Sequence, residues 1–277
     1  MPELPEVETM RRGILGIVGS RIADVVWPRC LRKPIAVRPR KDRFKAKALN
    51  QPIVAVDRLG KRVVVRLGSG DAIVIEPRMT GLVLVGDAPT AEHLRLRLDF
   101  AGGPIPSVWY WDRRGLGNVR LLSPDELASE LGPEKLGPDA LATTPAGLQS
   151  ALGDSRRAIK VALLDQRHVA GIGNLYASEI LHLAGVHPAA SCDGLKPRHW
   201  QRIHAALIEV LELAIRYEGS TLSDGTYRNA LNKTGGYQNE HRVYARADQP
   251  CLRCGKSTIL RIVQAQRSTF FCPRCQR

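Results

Sequence analysis

The sequence lacks any long hydrophobic run. No apolar stretch in its 277 residues approaches the ~20 residues that a membrane-spanning helix needs, so we expect no spanning segment. The opening residues, MPELPEVETM, are acidic and contain no apolar core of a secretory signal. The chain also lacks internal repeats and low-complexity tracts. From the missing apolar runs we expect neither a membrane-spanning role nor a secretory leader.

Acidic residues are few relative to basic ones. Lys and Arg total 41 against 27 Asp and Glu, a formal net charge of +14. This excess favours a polyanionic partner, with nucleic acid ahead of an anionic membrane surface. Residues 21–49 hold ten basic side chains against Asp24 and Asp42, and residues 251–277 hold six with no acid. Basic runs are often only solvated faces, but two in different domains favour a bound polyanion.

Cysteine is scarce, and four of the six cysteines lie in the last 27 residues. A disulfide framework would be spread over the fold, so this distribution favours a reducing cytoplasm and a metal site. Cys251-Leu-Arg-Cys254 and Cys272-Pro-Arg-Cys275, seventeen residues apart, have the spacing of a tetrahedral zinc ribbon. The alternatives are two disulfides or free thiols. We predict one structural Zn²⁺, because four thiolates leave no coordination position open for water.

The first half of the chain is predicted to be strand-rich. Short β-branched or alternating runs are separated by turn signals such as Gly68-Ser69-Gly70-Asp71. The runs cover residues 53–57, 61–67, 72–76, 82–85, 94–99 and 107–111. Because no helices separate them, a sandwich or barrel is favoured over a doubly wound sheet. One helix, at about residues 3–14, is expected before them.

The second half is predicted to be helical. Ser123-Pro124-Asp125-Glu126 combines a capping box with proline at the first helical position, so a short helix should begin there. Gly132-Pro133 and Gly137-Pro138 then break the chain, as in a linker. Helices are predicted over 156–166, 174–184 and about 197–217, with a loop over 219–237. The last helix carries a core stripe at helical spacing, formed by Trp200, Ile203, Ala206, Leu207, Val210 and Leu211.

Position 2 is a candidate nucleophile. Proline after Met1 favours removal of the initiator methionine, which would expose a secondary amine. Such an α-amino group titrates near pH ~7.7–8, and amines form Schiff bases with carbonyl-like carbons. Glu3 and Glu6 follow, and a carboxylate there could transfer protons. Taken alone the pattern is weak, because glutamates also suit the first turn of any helix.

Three motifs resemble those of the formamidopyrimidine-DNA glycosylases. They are Met1-Pro-Glu-Leu-Pro-Glu-Val-Glu-Thr9, Gly171-Ile-Gly-Asn-Leu-Tyr-Ala177 and Gln266-Arg-Ser-Thr-Phe-Phe-Cys-Pro-Arg-Cys275, in order along the whole chain. Leu4-Pro5-Glu6-Val7 resembles this branch rather than the related endonuclease VIII branch. The resemblance implies a multidomain α+β fold. We expect an N-terminal β-sandwich with an opening helix at 1–131, a helix-two-turn-helix domain at 132–245 and a four-cysteine zinc ribbon at 246–277.

The resemblance also implies a bifunctional base-excision enzyme that acts on damaged double-stranded DNA, and we expect a cytoplasmic monomer. Pro2 would attack C1′ of a nucleotide flipped out of the duplex, because this atom cannot be reached inside the base stack. Glu3 would assist sugar-ring opening and proton transfer. A Schiff base would then link protein and sugar, and β- then δ-elimination would cut the strand. The implied substrates are oxidised purines, namely 8-oxoguanine and formamidopyrimidines.

Further residues carry over from the resemblance as DNA contacts. Lys61 matches a phosphate-contacting lysine that aids catalysis, although by itself it is an ordinary hairpin-flank lysine. Gly171-Ile-Gly-Asn174 matches a phosphate-binding hairpin, although a bare glycine pair indicates only a turn. The residues assigned to DNA binding are His93, Arg114, Lys160, Asn174 and Arg267.

Residues implied to fill the gap left by the flipped base depart in part from the family pattern. Met79 matches an inserting methionine, an apolar wedge of the kind that offsets lost stacking. In Asp112-Arg-Arg-Gly-Leu-Gly117, Arg114 matches an inserting arginine, whereas Leu116 stands where an aromatic residue is usual. Ser223 stands where relatives often have lysine near the lesion pocket. Two alternatives therefore stay open: the same chemistry on oxidised pyrimidines, and a non-catalytic zinc-containing DNA-binding protein.

Overall fold

Residues 2–222 and 225–277 are described by a computed structural model, and Ser223 lies outside the described residues. The chain forms two compact units. The first comprises Met1–Gly132 and Tyr217–Gly236, and the second Pro133–Arg216 and Tyr237–Arg277. The segment Tyr217–Gly236 thus belongs to the first unit. The division at residues 131 and 245 stays a prediction.

The first unit contains two β-sheets preceded by the helix α1 (Leu4–Gly13). Its other elements are β1 (Arg21–Val26), β2 (Ala36–Arg38), α2 (Lys41–Ala48), β3 (Ile53–Leu59), β4 (Arg62–Leu67), β5 (Ala72–Glu76), β6 (Gly81–Leu84), β7 (Leu94–Ala101), β8 (Ser107–Asp112), β9 (Asn118–Leu122) and α3 (Pro124–Leu131). One sheet has the order β1-β7-β8-β6 and the other β2-β9-β5-β4-β3. Neighbouring strands are antiparallel except β2 and β9, which are parallel.

Side chains of both sheets and of α1 share one hydrophobic core, which makes the unit a β-sandwich, as predicted. Val7 and Met10 of α1 are fully buried together with Ile75 of β5 and Leu98 of β7. A second cluster, with Leu127 of α3, covers the other face of β4 and β5. These two strands are therefore buried on both faces, which explains their nearly continuous apolar sequence.

The predicted helix before the strands and all six predicted strands are confirmed, with each end within two residues of its predicted position. The capping box at Ser123 is also confirmed: Ser123 Oγ accepts the Glu126 N–H, and the Glu126 side chain accepts the Ser123 N–H. β1, β2, β9 and α2 were not predicted from the sequence. β2 spans only three residues and pairs with β9 about eighty residues later, a contact that local pattern cannot reveal.

The second unit consists of α4 (Pro145–Leu152), α5 (Ile159–Leu163), α6 (Asn174–Ala184), α7 (Pro197–Arg216) and a hairpin of β10 (Leu260–Gln264) and β11 (Arg267–Phe271). The predicted apolar stripe of α7 is buried, and the bounds of α6 are as predicted. The helix predicted over 156–166 is wrong in length. Ser155 Oγ accepts the Arg157 N–H and Asp165 accepts the Arg167 N–H, and such local bonds compete with helix at both ends.

No helix within residues 2–222 and 225–277 is both long enough and apolar enough to cross a membrane.

Candidate functional site

The candidate nucleophile lies at the start of α1. Pro2 is buried, and Glu3 beside it is 3% exposed. Glu6 accepts two backbone N–H groups at 2.9 Å, that of Glu3 on Oε2 and that of Ser220 on Oε1. Gly219 permits this approach, because a Cβ there would lie 2.9 Å from the Glu6 side chain. The Glu6 carboxylate therefore holds the segment at Ser220 against the helix that follows Pro2.

Lys61 lies in the tight turn between β3 and β4. Arg58 links this turn to α1, because its Nη1 donates to Gly60 O at 3.1 Å and its Nε donates to Glu8 Oε2 at 3.2 Å. Burial alone would raise the pKa of Glu8, but hydrogen bonds and charges from the surrounding arginines outweigh it and lower this pKa to about 2. Glu8 thus couples the helix after Pro2 to the turn that carries Lys61.

Residues 112–117, here called the wedge loop, are organised by one buried carboxylate. Asp112 is 0% exposed. Its Oδ2 accepts the Gly117 N–H at 2.9 Å, and its Oδ1 accepts the Arg114 N–H at 3.2 Å. The Thr80 hydroxyl donates to the same Oδ1 and accepts the Arg114 N–H at 3.0 Å. Because Thr80 follows Met79 directly, Asp112 sets Met79 and Arg114 relative to each other.

Tyr110 fills the space beneath two turns, the wedge loop and the turn of residues 77–80 between β5 and β6. A Cβ on Gly81 would lie 2.6 Å from the Tyr110 hydroxyl, and one on Gly117 would overlap it. Burial, followed by the negative charge of Asp112, raises the pKa of Tyr110 well above its usual value, so the phenol stays neutral. The two glycines are therefore required by close packing at this point.

The candidate DNA-contacting side chains at the two turns, and that of His93, differ in their exposure to solvent. Met79 is 37% exposed, Arg114 is exposed and Leu116 is partly buried. His93 is 8% exposed; its Nε2 lies 2.9 Å from Glu92 Oε1, and its ring packs edge-on against Trp111. The DNA-directed roles of Met79, Arg114, Leu116 and His93 stay predictions.

In the second unit, Lys160 and Asn174 contact each other and the β10–β11 hairpin. The Lys160 ammonium, 0% exposed, donates to Asn174 Oδ1 at 2.6 Å, Thr269 Oγ1 at 2.7 Å and Ser268 O at 3.1 Å. Asn174 Nδ2 also donates to Ser268 O at 3.0 Å. Lys160 therefore holds the first turn of α6 to the hairpin, a role that its position in the sequence did not suggest.

Arg267 is the first residue of β11 and is exposed next to a strained turn. The connection between β10 and β11 is the pair Ala265 and Gln266, with φ of 46° and 60°. Two positive φ angles are required by a type I′ turn, which usually contains asparagine and glycine. Backbone strain of this kind concentrates at functional sites.

The four predicted metal ligands form one cluster. The sulfurs of Cys251, Cys254, Cys272 and Cys275 all lie within 4.8 Å of one another. Cys251 Sγ is 3.8 Å from Cys275 Sγ, and Cys254 Sγ is 3.8 Å from Cys272 Sγ. Four sulfurs placed ~2.3 Å from a central Zn²⁺ at tetrahedral angles are about 3.8 Å apart, so the cluster fits zinc. All four thiols are free, so the disulfide alternative is wrong.

Three further polar residues support these sites without having been predicted from the sequence. Gln166 holds the Gly171 hairpin, because its Oε1 accepts the Gly171 N–H and its Nε2 donates to Ile172 O, both at 2.9 Å. Glu179 accepts the N–H groups of residues 242–244 at 2.8–3.0 Å. His182 Nε2 lies 3.5 Å from Cys251 Sγ. The sequence signal for these supporting roles is that Glu179 and His182 are polar residues within the largely apolar α6.

Comparison with known families gives three matches along the chain. Residues 1–119 match the model described as formamidopyrimidine-DNA glycosylase N-terminal domain, and residues 131–226 match the formamidopyrimidine-DNA glycosylase H2TH domain. Residues 248–277 match a zinc finger found in FPG and IleRS. The three matches follow the order of the motifs noted in the sequence.

Individual relatives are similar over essentially the full length. The formamidopyrimidine-DNA glycosylase of Chloroflexus aurantiacus is 39% identical over 285 aligned residues, covering 100% of this chain and 98% of the relative. The crystal structure of the MutM (Fpg) protein from Thermus thermophilus has a TM-score of 0.84 and 36% identity, covering 99% of this chain and 98% of that protein. The Lactococcus lactis Fpg in complex with DNA containing an abasic site has a TM-score of 0.86 and 33% identity, covering 99% of each chain.

Proposed function

Because the chain belongs to the formamidopyrimidine-DNA glycosylase family, we propose that it is a glycosylase and AP lyase of damaged double-stranded DNA. The observation that carries the proposal is the buried Pro2–Glu3 pair, which Glu6 holds to Ser220 within the same unit as the wedge loop. The candidate amine nucleophile is followed directly in the chain by a residue with a carboxyl group, and Schiff-base chemistry uses such a pair.

In the proposed reaction, Met1 is absent and the Pro2 nitrogen bonds to C1′ while the bond from C1′ to the damaged base breaks. The base leaves with the bonding electrons and takes up a proton. The Glu3 carboxyl group protonates O4′ as the sugar ring opens, which leaves an iminium ion between Pro2 and C1′. Loss of a C2′ proton expels the 3′ phosphate, and a second elimination expels the 5′ phosphate. Lys61 contacts phosphate and assists these steps.

The wedge loop and Met79 serve the extrusion of the lesion. Flipping a nucleotide out of the duplex costs stacking and pairing free energy, which an inserted apolar or planar group offsets. Met79, Arg114 and Leu116 supply such groups, and the Asp112 carboxylate binds both the Arg114 N–H and the hydroxyl of Thr80, the residue after Met79.

The remaining candidate residues are assigned to contacts with DNA phosphates or to the support of such contacts. We propose that Arg267, Asn174, His93 and Lys160 contribute to DNA binding, either through phosphate contacts or, for the buried Lys160, by positioning Asn174. Cys251, Cys254, Cys272 and Cys275 would hold one Zn²⁺, which supplies folding free energy to the segment that carries Arg267. Affinity for DNA should fall steeply with added salt.

The test is covalent trapping with borohydride on duplexes that contain 8-oxoguanine or a formamidopyrimidine. The wild-type protein should be captured as a protein–DNA adduct, and Pro2→Gly much less. Absence of any adduct on every oxidised duplex would refute the proposed chemistry. Retention of Met1 in the intact mass would favour the non-catalytic DNA-binding alternative.

A second candidate substrate class is oxidised pyrimidines, which Leu116 favours because a leucine lacks the flat stacking face of an aromatic wedge. A panel of duplexes with one lesion each decides between the classes. Faster excision of oxidised pyrimidines than of oxidised purines would replace the first assignment.

A further inference from the structure

The segment Tyr217–Gly236 contacts the reaction end of the first unit, defined by Pro2, Glu3 and Glu6 at the start of α1. The Ser220 N–H donates to Glu6 at 2.9 Å, and Glu6 in turn accepts the Glu3 N–H. Gly219, at a φ of 81°, packs directly on the Glu6 side chain. A displacement of Gly219 or Ser220 therefore acts, through Glu6, on the backbone of Glu3, the residue that follows Pro2.

The described part of this segment is anchored in the first unit. Tyr227 is 4% exposed and belongs to the sandwich core. Its carbonyl accepts the Thr221 hydroxyl at 2.8 Å, and its own hydroxyl donates to Glu218 O at 2.9 Å. The Val85 N–H donates to Ala230 O at 2.9 Å. The residue before Tyr227, Thr226, is therefore held at a defined position rather than on a free loop.

Arg113 of the wedge loop reaches this anchored point. Its Nη2 donates to Thr226 Oγ1 at 2.8 Å, across 113 residues of sequence. Arg113 itself is exposed, whereas Thr226 is 6% exposed. A bond from a charged donor to a buried neutral hydroxyl is stronger than one between neutral groups. Arg113 lies between Asp112, which fixes the loop, and Arg114, which is proposed to enter the duplex.

From these contacts we propose that Arg113 is a positioning residue that couples the wedge loop to the reaction end. The chain of contacts runs from Arg113 to Thr226, through the Tyr227 anchor to Ser220, and from there to Glu6 and Glu3. Insertion of the wedge loop is thereby linked to the alignment of Glu3. This inference rests on the proposed glycosylase activity.

The coupling matters most when a base must be extruded. An abasic site has no base to unstack or unpair, so Glu3 can align there without insertion of the wedge loop. Arg113 should therefore contribute to excision of a damaged base and contribute little to strand cleavage at an abasic site. An overall folding defect would instead lower both activities together.

The experiment measures single-turnover rates on two duplexes, one with 8-oxoguanine and one with an abasic site. For Arg113→Gln we expect base excision to slow about five- to tenfold, as for loss of one charge-assisted hydrogen bond, and abasic cleavage to change less than about twofold. Thr226→Val should change both rates as Arg113→Gln does. The double variant should excise the base no more slowly than either single variant, because the two changes remove the same bond. Arg113→Lys should recover part of the rate.

Arg66→Gln is the matched control, since it removes one arginine charge from a partly exposed pair with Asp57 and should leave both rates unchanged. Equal loss on both duplexes, additive effects in the double variant, or an Arg113→Gln protein with wild-type rates would each overturn the coupling. A wild-type protein that cleaves neither duplex would instead overturn the proposed function itself, and the coupling with it.

Discussion

The cysteine cluster of the second unit and the Asp112 centre of the wedge loop both gather polar atoms in buried or partly buried surroundings, but they draw these atoms from different ranges of sequence. All four sulfurs come from residues 251–275, and two short CxxC turns place them. The Asp112 carboxylate gathers a hydroxyl 32 residues away, and Glu6 accepts an N–H 214 residues away. The first centre is assembled by two short local turns that fit a metal ion, and the second depends on the β-sandwich being formed.

Because the two centres are built differently, substitutions in them should have different effects on folding. Loss of a sulfur should unfold the metal-binding segment itself, because so few residues form little core without the ion. Loss of a contact in the wedge loop should leave the sandwich folded and affect the geometry of its two turns. Four measurements test how far this contrast between the two centres holds.

The largest expected effect is that of Cys254→Ser. Structural zinc contributes on the order of 10 kcal/mol to small metal-binding segments, so its loss should unfold residues 248–277 and greatly weaken DNA binding. Elemental analysis should show about one zinc per wild-type chain and a much smaller content in the variant. Cys30→Ser, outside the cluster, is the control and should keep its metal. Normal metal content in Cys254→Ser would contradict the four-thiolate site.

A smaller effect is expected for Asp112→Asn. The amide can turn an N–H₂ toward the N–H groups of Arg114 and Gly117, which leaves buried donors without an acceptor and should cost roughly 2–4 kcal/mol. Denaturant unfolding gives this value, and excision of 8-oxoguanine should fall with it. Thr80→Val removes one hydroxyl from the same carboxylate and should cost less, about 1–2 kcal/mol. An unchanged unfolding midpoint in Asp112→Asn would show that the carboxylate does not organise the loop.

Acid should destabilise the first unit through Glu8. Its pKa is lowered to about 2 in the folded protein, from an ordinary value of 4.5. The stabilisation from this group is therefore complete above about pH 4.5 and is lost as the pH falls toward 2, by roughly 2–3 kcal/mol. Unfolding free energies of wild type and Glu8→Gln, measured between pH 6 and 3, check this. A difference between the two proteins that does not shrink with acid would contradict the assignment.

The smallest expected effect has the opposite sign. Gln266→Gly should stabilise the zinc-loaded protein by about 0.5–1 kcal/mol, because glycine adopts a positive φ without strain. Arg261→Gly on the adjacent strand β10 is the control and should destabilise. Both values come from thermal unfolding in the presence of zinc. If Gln266→Gly also leaves DNA affinity unchanged, the strain at this turn has no role in presenting Arg267.

Local patterns predicted those features whose determinants lie close together in the chain. The paired CxxC turns, the capping box at Ser123 and the buried stripe of α7 each depend on short-range spacing along the sequence. The helix over 156–166 was predicted too long because Ser155 and Asp165 bind nearby backbone N–H groups. β2 was missed because it exists only through pairing with β9.

The candidate site likewise contains residues that local motifs identified and contacts that only the folded chain revealed. Short motifs were enough to identify the four sulfur ligands, the family resemblance and the candidate residues Pro2, Glu3 and Arg267, without any knowledge of the fold. The folded chain was needed to reveal that Lys160 is buried against Asn174, that Asp112 joins two turns and that Arg113 reaches Thr226. Such bonds form between residues far apart in the chain, and their partners become neighbours only after the hydrophobic core has closed loops of many residues.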